Sequence, residues 1–235
     1  MDEALYNQLL RLGDDSLILG QRLGEWCGHA PTIEVDLSLT NMSLDLIGQA
    51  QLFLGYAGEI EGKGRDADRL AFHRDALQFR NCLLVEQPNG DFGQTMARQF
   101  LFSTWQKLLF DKLAAGPEAR IAAIAAKAVK EVAYHADLAA DWVIRLGDGT
   151  EESRTRLLAG FGRLWRFVDE LFDGEEDLRP AFDARLAEVL TEATLPLPEL
   201  PRPLRGGRNG HHSEHLGHVL AVMQHLPRSY PDARW

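Results

Sequence analysis

The sequence predicts an all-α protein, on three observations. Apolar residues recur at three- and four-residue steps along nearly the whole chain. Short Gly, Pro and Asn-Gly breaks separate the periodic segments. No alternating run of the kind that makes a strand is present. Each segment can be justified in order. Leu5, Leu9, Leu12, Ile18 and Leu19 form the first stripe, which Gly28 and Pro31 close. The second runs from about Val35 to Ile60, with Leu39, Met42, Leu46, Ile47, Ala50, Phe53 and Leu54 as its apolar positions and Asp36 as its expected cap. The charged stretch RDADRLAFHRDALQFRN is helical but shorter.

Asn89-Gly90 then makes a turn, and Asp91 with Gln94 resembles a capping box opening a third long helix to about Ala115. Gly116-Pro117 ends it and starts an alanine-rich fourth, to about Leu146. GDGT stops that helix and caps the next, which carries Leu157, Leu158, Phe161, Leu164, Trp165, Val168 and Phe172. A weak helix, about Pro180 to Thr191, leads into TLPLPELPRPLRGGRNG, where proline forbids regular helix. HHSEHLGHVLAVMQHL is the last amphipathic segment. Four long helices with short turns specify a ferritin-like four-helix bundle with additional peripheral helices. The expected organisation is a bundle core over 1–175 and a C-terminal extension over 176–235, packed on the bundle or on a partner. A helical solenoid is the alternative, against which the absence of a repeat period weighs.

The chain has 235 residues and a formal net charge of -10. Such a field repels phosphates, so nucleic acid and anionic membrane surfaces are poor partners. No apolar window is long enough to span a membrane. Cys27 and Cys82 stand in no metal spacing and fit a reducing compartment. With no signal-peptide pattern at the start, the expected location is cytoplasmic.

A di-iron bundle takes Glu from two helices and Glu-x-x-His from two others. On the fourth long helix, KEVAYHAD puts Glu131 four residues before His135, with Tyr134 at the histidine position. On the second, Asp45 is followed three residues on by Gly48, which cannot ligate. The third has no Asp or Glu between Gln94 and Lys107; Arg98 is its charged residue. The first offers Asp14 and Asp15. This count cannot balance two iron ions. Asp45, Glu131 and His135 therefore read as vestigial ligand positions, with Glu131 and His135 a buried polar pair. An inward Arg98 or Arg22 is expected to pair with Asp45 or Glu131 in place of lost metal charge. A mononuclear site from Asp45, Glu131 and His135 is the alternative. His211, His215 and His218, with His212 and Glu214 beside them, read as an i, i+4, i+7 helical zinc-binding face or as a polar edge of unassigned role. Arg202, Arg205 and Arg208 among glycines suit phosphate, or are a solvated loop. No Walker loop, dinucleotide fingerprint, nucleophile elbow or CxxC is present.

Seven strings, LILGQRLGEWCGHAP, LDLIGQAQ, FRNCLLVEQPNGDF, ARQFLF, IAAKAVKEVAYH, LWRFVDELFD and HSEHLG, together resemble the PaaC-type subunit of bacterial phenylacetyl-CoA oxygenase (epoxidase) complexes. The resemblance runs nearly the full chain in order. It implies a ferritin-like fold and a non-catalytic structural subunit without iron, not an enzyme by itself. The implied partners are a homologous catalytic di-iron subunit, a small bridging subunit, and a reductase carrying flavin and an iron–sulfur centre that draws electrons from NADPH. The implied complex epoxidises the ring of phenylacetyl-CoA in aerobic phenylacetate degradation. EWCGHAP and the second helix are the expected interface, and a homodimer is a further expectation. Two other readings stand beside this one. The chain acts as a metal-binding enzyme on its own, or it contributes CoA-phosphate contacts through Arg202, Arg205 and Arg208.

Overall fold

The computed structural model describes residues 2–198, 202–231 and 233. Among them every regular element is helical: α1 (Glu3–Gly24), α2 (Ile33–Glu61), α3 (Ala67–Phe72), α4 (Leu83–Glu86), α5 (Phe92–Ala114), α6 (Ala119–Gly147), α7 (Glu151–Leu164), α8 (Arg179–Glu192), α9 (Glu214–Met223) and α10 (His225–Ser229). Part of the proline-rich stretch, 199–201, lies outside the described residues. Its described flanks, 195–198 and 202–206, carry no helix. The contacts divide the chain into two compact units. One is Met1–Pro88 with Arg205–Trp235, and the other is Asn89–Leu204. Residues 176–204 thus belong to the second unit and 205–235 to the first.

The first unit is built on an antiparallel α1–α2 pair. Gly20 faces Ser43 and Ile47, and Gly13 faces Leu54 so closely that a Cβ there would stand 2.7 Å from the Leu54 side chain. Ser43 Oγ donates to the Gly20 carbonyl at 2.7 Å. Thr32 caps α2. Asp36, expected as that cap, lies inside the helix and instead accepts from the Gly28 N–H at 2.7 Å, fixing the preceding turn. At the far end Arg65 Nε donates to Glu61 at 2.6 Å, and the Tyr6 hydroxyl reaches the same carboxylate at 3.3 Å.

Asp14 and Asp15, in the middle of α1, are buried. Arg74 pairs with Asp14 (2.9 Å from Nη1 to Oδ2), and the Arg80 N–H donates to the same oxygen at 2.8 Å. Arg208 pairs with Asp15 at 2.7 Å, where the Cys82 N–H also donates at 2.7 Å. Burial pushes the Asp15 carboxyl up, and the Arg208 guanidinium and the Cys82 N–H pull against it. The next buried carboxylate, Glu86, accepts from Asn81, His212 and the Ser213 N–H at 2.9, 2.8 and 2.6 Å. Buried charge must be paired, and these pairs bind residues 74–86 and the returning segment 205–228 to α1. Gln224 finishes the attachment, donating to the Ala71 and Arg74 carbonyls.

The second unit is built on an antiparallel α5–α6 pair. Phe92 near the start of α5 meets Trp142 near the end of α6 edge to face, ring centroids 5.0 Å apart. Asp91 caps α5, accepting from the Gln94 N–H at 2.9 Å, while the Gln94 side chain accepts from Arg163. Glu118, not Pro117, opens α6, accepting from the Ile121 N–H at 2.6 Å. Thr150 and Ser153 cap α7 reciprocally. Gly160 of α7 allows close approach to α5, where a Cβ would stand 2.8 Å from Gln94 Cα. α5 is buried on every side from Gly93 to Gln106.

Two outcomes follow for stability. Arg74→Met leaves Asp14 buried without its guanidinium and costs about 3–5 kcal/mol in chemical denaturation, whereas Asp14→Leu with Arg74→Met recovers most of that loss. Arg65 holds the Glu61 carboxyl below its ordinary range. That contribution is present above the ordinary glutamate range and lost as pH falls through the lowered value. The difference in urea midpoint between wild type and Arg65→Ala therefore shrinks on acidification.

Candidate functional site

The fourth-helix constellation lies on α6 in the second unit. His135 is completely buried, Glu131 is half-buried at the edge of the same face, and Tyr134 is 49% exposed. The position three residues after Glu131 thus points outward, and the inward one holds His135. Of the expected pair, His135 is fully buried and Glu131 stands at the margin of the same face. Asp45 is half-buried on α2, in the other unit, and Gly48 beside it has open space where a Cβ would be. Arg98 and Arg22 are buried as expected. Arg98 donates to Asn89 Oδ1 at 2.5 Å, and Arg22 donates to the Glu86 carbonyl at 2.8 Å and pairs with Glu25 at 2.9 Å.

These residues do not fit a di-iron centre. α2 offers one half-buried aspartate followed by glycine, and α5 offers no carboxylate in its buried span. Among the described residues no three His, Cys, Asp or Glu side chains stand close enough to hold a metal ion. α5 does carry a residue that a search for charged ligands overlooks. Gln99 is completely buried, and neither atom of its amide has a hydrogen-bond partner among the described residues. A glutamine where a carboxylate is sought is the one sequence signal that could have found it.

The histidine cluster is reorganised. α9 begins at Glu214, so His211 and His212 precede the helix and the i, i+4, i+7 face does not form. His215 and His218 share the helix with ring centroids 6.2 Å apart. His212 turns inward, its Nδ1 on Glu86 and its Nε2 at 3.1 Å from the Phe79 carbonyl. The arginine run separates too. Arg202 and Arg205 are exposed, but Arg208 is buried on Asp15 and donates to the Arg80 carbonyl at 3.1 Å. Arg208 is therefore corrected from a phosphate candidate to an internal counter-charge. Its guanidinium is already engaged where a ligand phosphate would need it.

One surface is out of keeping with an ordinary solvated helix. α2 buries Leu39, Met42, Leu46, Phe53 and Leu54 on one side, while Ile33 (72%), Leu37 (60%), Leu44 (61%) and Leu52 (41%) are exposed on the other. Steps of four, seven and eight from Ile33 keep these four exposed aliphatic side chains on one strip. Gly48 and Gly55 continue it with nothing within 4 Å of a built Cβ.

The PaaA/PaaC family, described as phenylacetic acid catabolic protein, matches residues 1–235. The chain belongs to this family. One PaaA/PaaC relative is the component designated C of the 1,2-phenylacetyl-CoA epoxidase from Escherichia coli (strain K12). It is 47% identical over 241 residues, covering 96% of this chain and 97% of that one. The all-α, ferritin-like class and the PaaC-type resemblance read from the sequence agree with that membership. No helix among the described residues is long and apolar enough to cross a membrane.

Arg208→Ala is expected to lower the thermal midpoint of the full chain and to raise amide hydrogen exchange over 205–230. Arg202→Ala leaves both unchanged. Loss of CoA binding in Arg208→Ala, with midpoint and exchange unaltered, would point to a ligand contact instead.

Proposed function

We propose that this chain is the non-catalytic structural subunit of a multicomponent oxygenase that epoxidises the aromatic ring of phenylacetyl-CoA in aerobic phenylacetate degradation. The carrying observation is the near-complete, 47% identity to a component of 1,2-phenylacetyl-CoA epoxidase. The residues of the site support the same reading, because the buried span of α5 has no carboxylate and α2 offers only Asp45 followed by Gly48, short of what a di-iron centre requires. In this reading the iron belongs to a homologous catalytic subunit. A small bridging subunit and an NADPH-fed reductase with flavin and an iron–sulfur centre complete a cytoplasmic system. The chain's own residues do no chemistry on the substrate; they hold the partner.

The strip on α2 suits that role. Exposed large aliphatic side chains over several turns lose free energy in water and gain it against a second apolar surface. The glycines within the strip let a partner helix approach the backbone closely. A stable interface buries on the order of 1,600 Å², so the strip is its core, with EWCGHAP and its half-buried Trp26 at the margin.

Leu37→Glu with Leu44→Glu tests this. The doubly substituted chain is expected to keep the thermal midpoint of wild type, since both side chains are already in solvent. It is also expected to lose co-purification with the catalytic subunit. Retained co-purification, for this pair and for Trp26→Ala, would remove α2 and the adjoining turn from the interface.

A further inference from the structure

The Phe92–Trp142 contact fixes the register of α5 against α6. Moving seven residues inward along each helix (92 to 99, 142 to 135) advances both by about 10.5 Å and returns each to within about 20° of the same face. Gln99 and His135 are therefore level with one another on the faces that Phe92 and Trp142 occupy. Moving eleven residues inward brings Ser103 level with Glu131 in the same way. The Ser103 hydroxyl donates to the Gln99 carbonyl at 2.6 Å, so it serves its own helix. Gln99 and His135 are both completely buried. The Gln99 carboxamide has no hydrogen-bond partner among the described residues, which is costly and needs a reason.

Charge supplies the reason. A metal-holding bundle of this kind presents a carboxylate from this helix toward a Glu and a His on its neighbour. A carboxylate buried there with no cation would be far more costly than a carboxamide of the same shape. We propose that Gln99 is the residue that keeps the α5–α6 pair free of metal. It fills the carboxylate position with a neutral group of nearly the same size, at the level of His135 in the helix register. The proposal rests on the non-catalytic reading above, but its failure would leave partner binding through α2 untouched.

Two substitutions in the full chain, purified alone, test it by thermal midpoint and by calorimetric titration with Zn(II) and Co(II). Gln99→His keeps the site neutral and sets an imidazole opposite His135. It is expected to bind one Zn(II) at least tenfold more tightly than wild type, with a raised midpoint. Gln99→Glu is expected to have a lower midpoint than wild type without metal and to regain it with Co(II). Adding His135→Ala should abolish both responses. The neutral histidine variant decides the matter should the glutamate variant not fold. Variants whose metal response equals that of wild type, or survives His135→Ala, would overturn the assignment. So would wild type binding Zn(II) through His135 as tightly as the Gln99→His variant.

Discussion

A carboxylate taken out of water needs a positive partner close by, and the first unit is organised around that requirement. Asp14, Asp15 and Glu86 are buried within it. Arg74 and Arg208 answer the two aspartates from distant stretches of chain, and His212, in the same returning segment as Arg208, hydrogen-bonds Glu86. Removing Arg74 or Arg208 would strand a carboxylate in the interior, which costs more than the pair itself contributes. The path of the chain follows from this. Residues 74–86 turn back onto α1, and the segment after 205 returns to the same helix. Arg208 and His212 anchor the start of that return, and Gln224 and Arg228 its end.

The second unit meets the same constraint differently. Its α5 is buried on all sides, yet it carries no acidic residue through that span. Gln99 is a neutral, completely buried side chain at the position proposed above for a carboxylate, and Tyr134 faces outward. α2 exposes an aliphatic strip interrupted by glycines, which fits the proposed task of holding another chain.

Much of the fold was legible because it is local. The apolar stripes, the Asn89-Gly90 turn, the Asp91 cap and the GDGT stop act within a few residues, and the helices begin and end close to where these signals stand. What was missed depends on distant partners. Asp36 looks like a cap by position, but Thr32 lies better placed and Asp36 binds the turn instead. Arg208 among glycines looks like a phosphate clamp until Asp15, far away in sequence, claims it. His211 has the right spacing for a helical ligand set, but the helix starts three residues later. Gln99 was invisible to a count of charged ligands because its significance is that it carries no charge.

The most direct test is the metal content and mass of the complex formed when this chain is co-expressed with its catalytic partner, set against the chain purified alone. Iron is expected in proportion to the partner's copies, with none bound by the chain itself. Stoichiometric iron in the isolated chain, with oxygen-dependent turnover, would contradict a non-catalytic role.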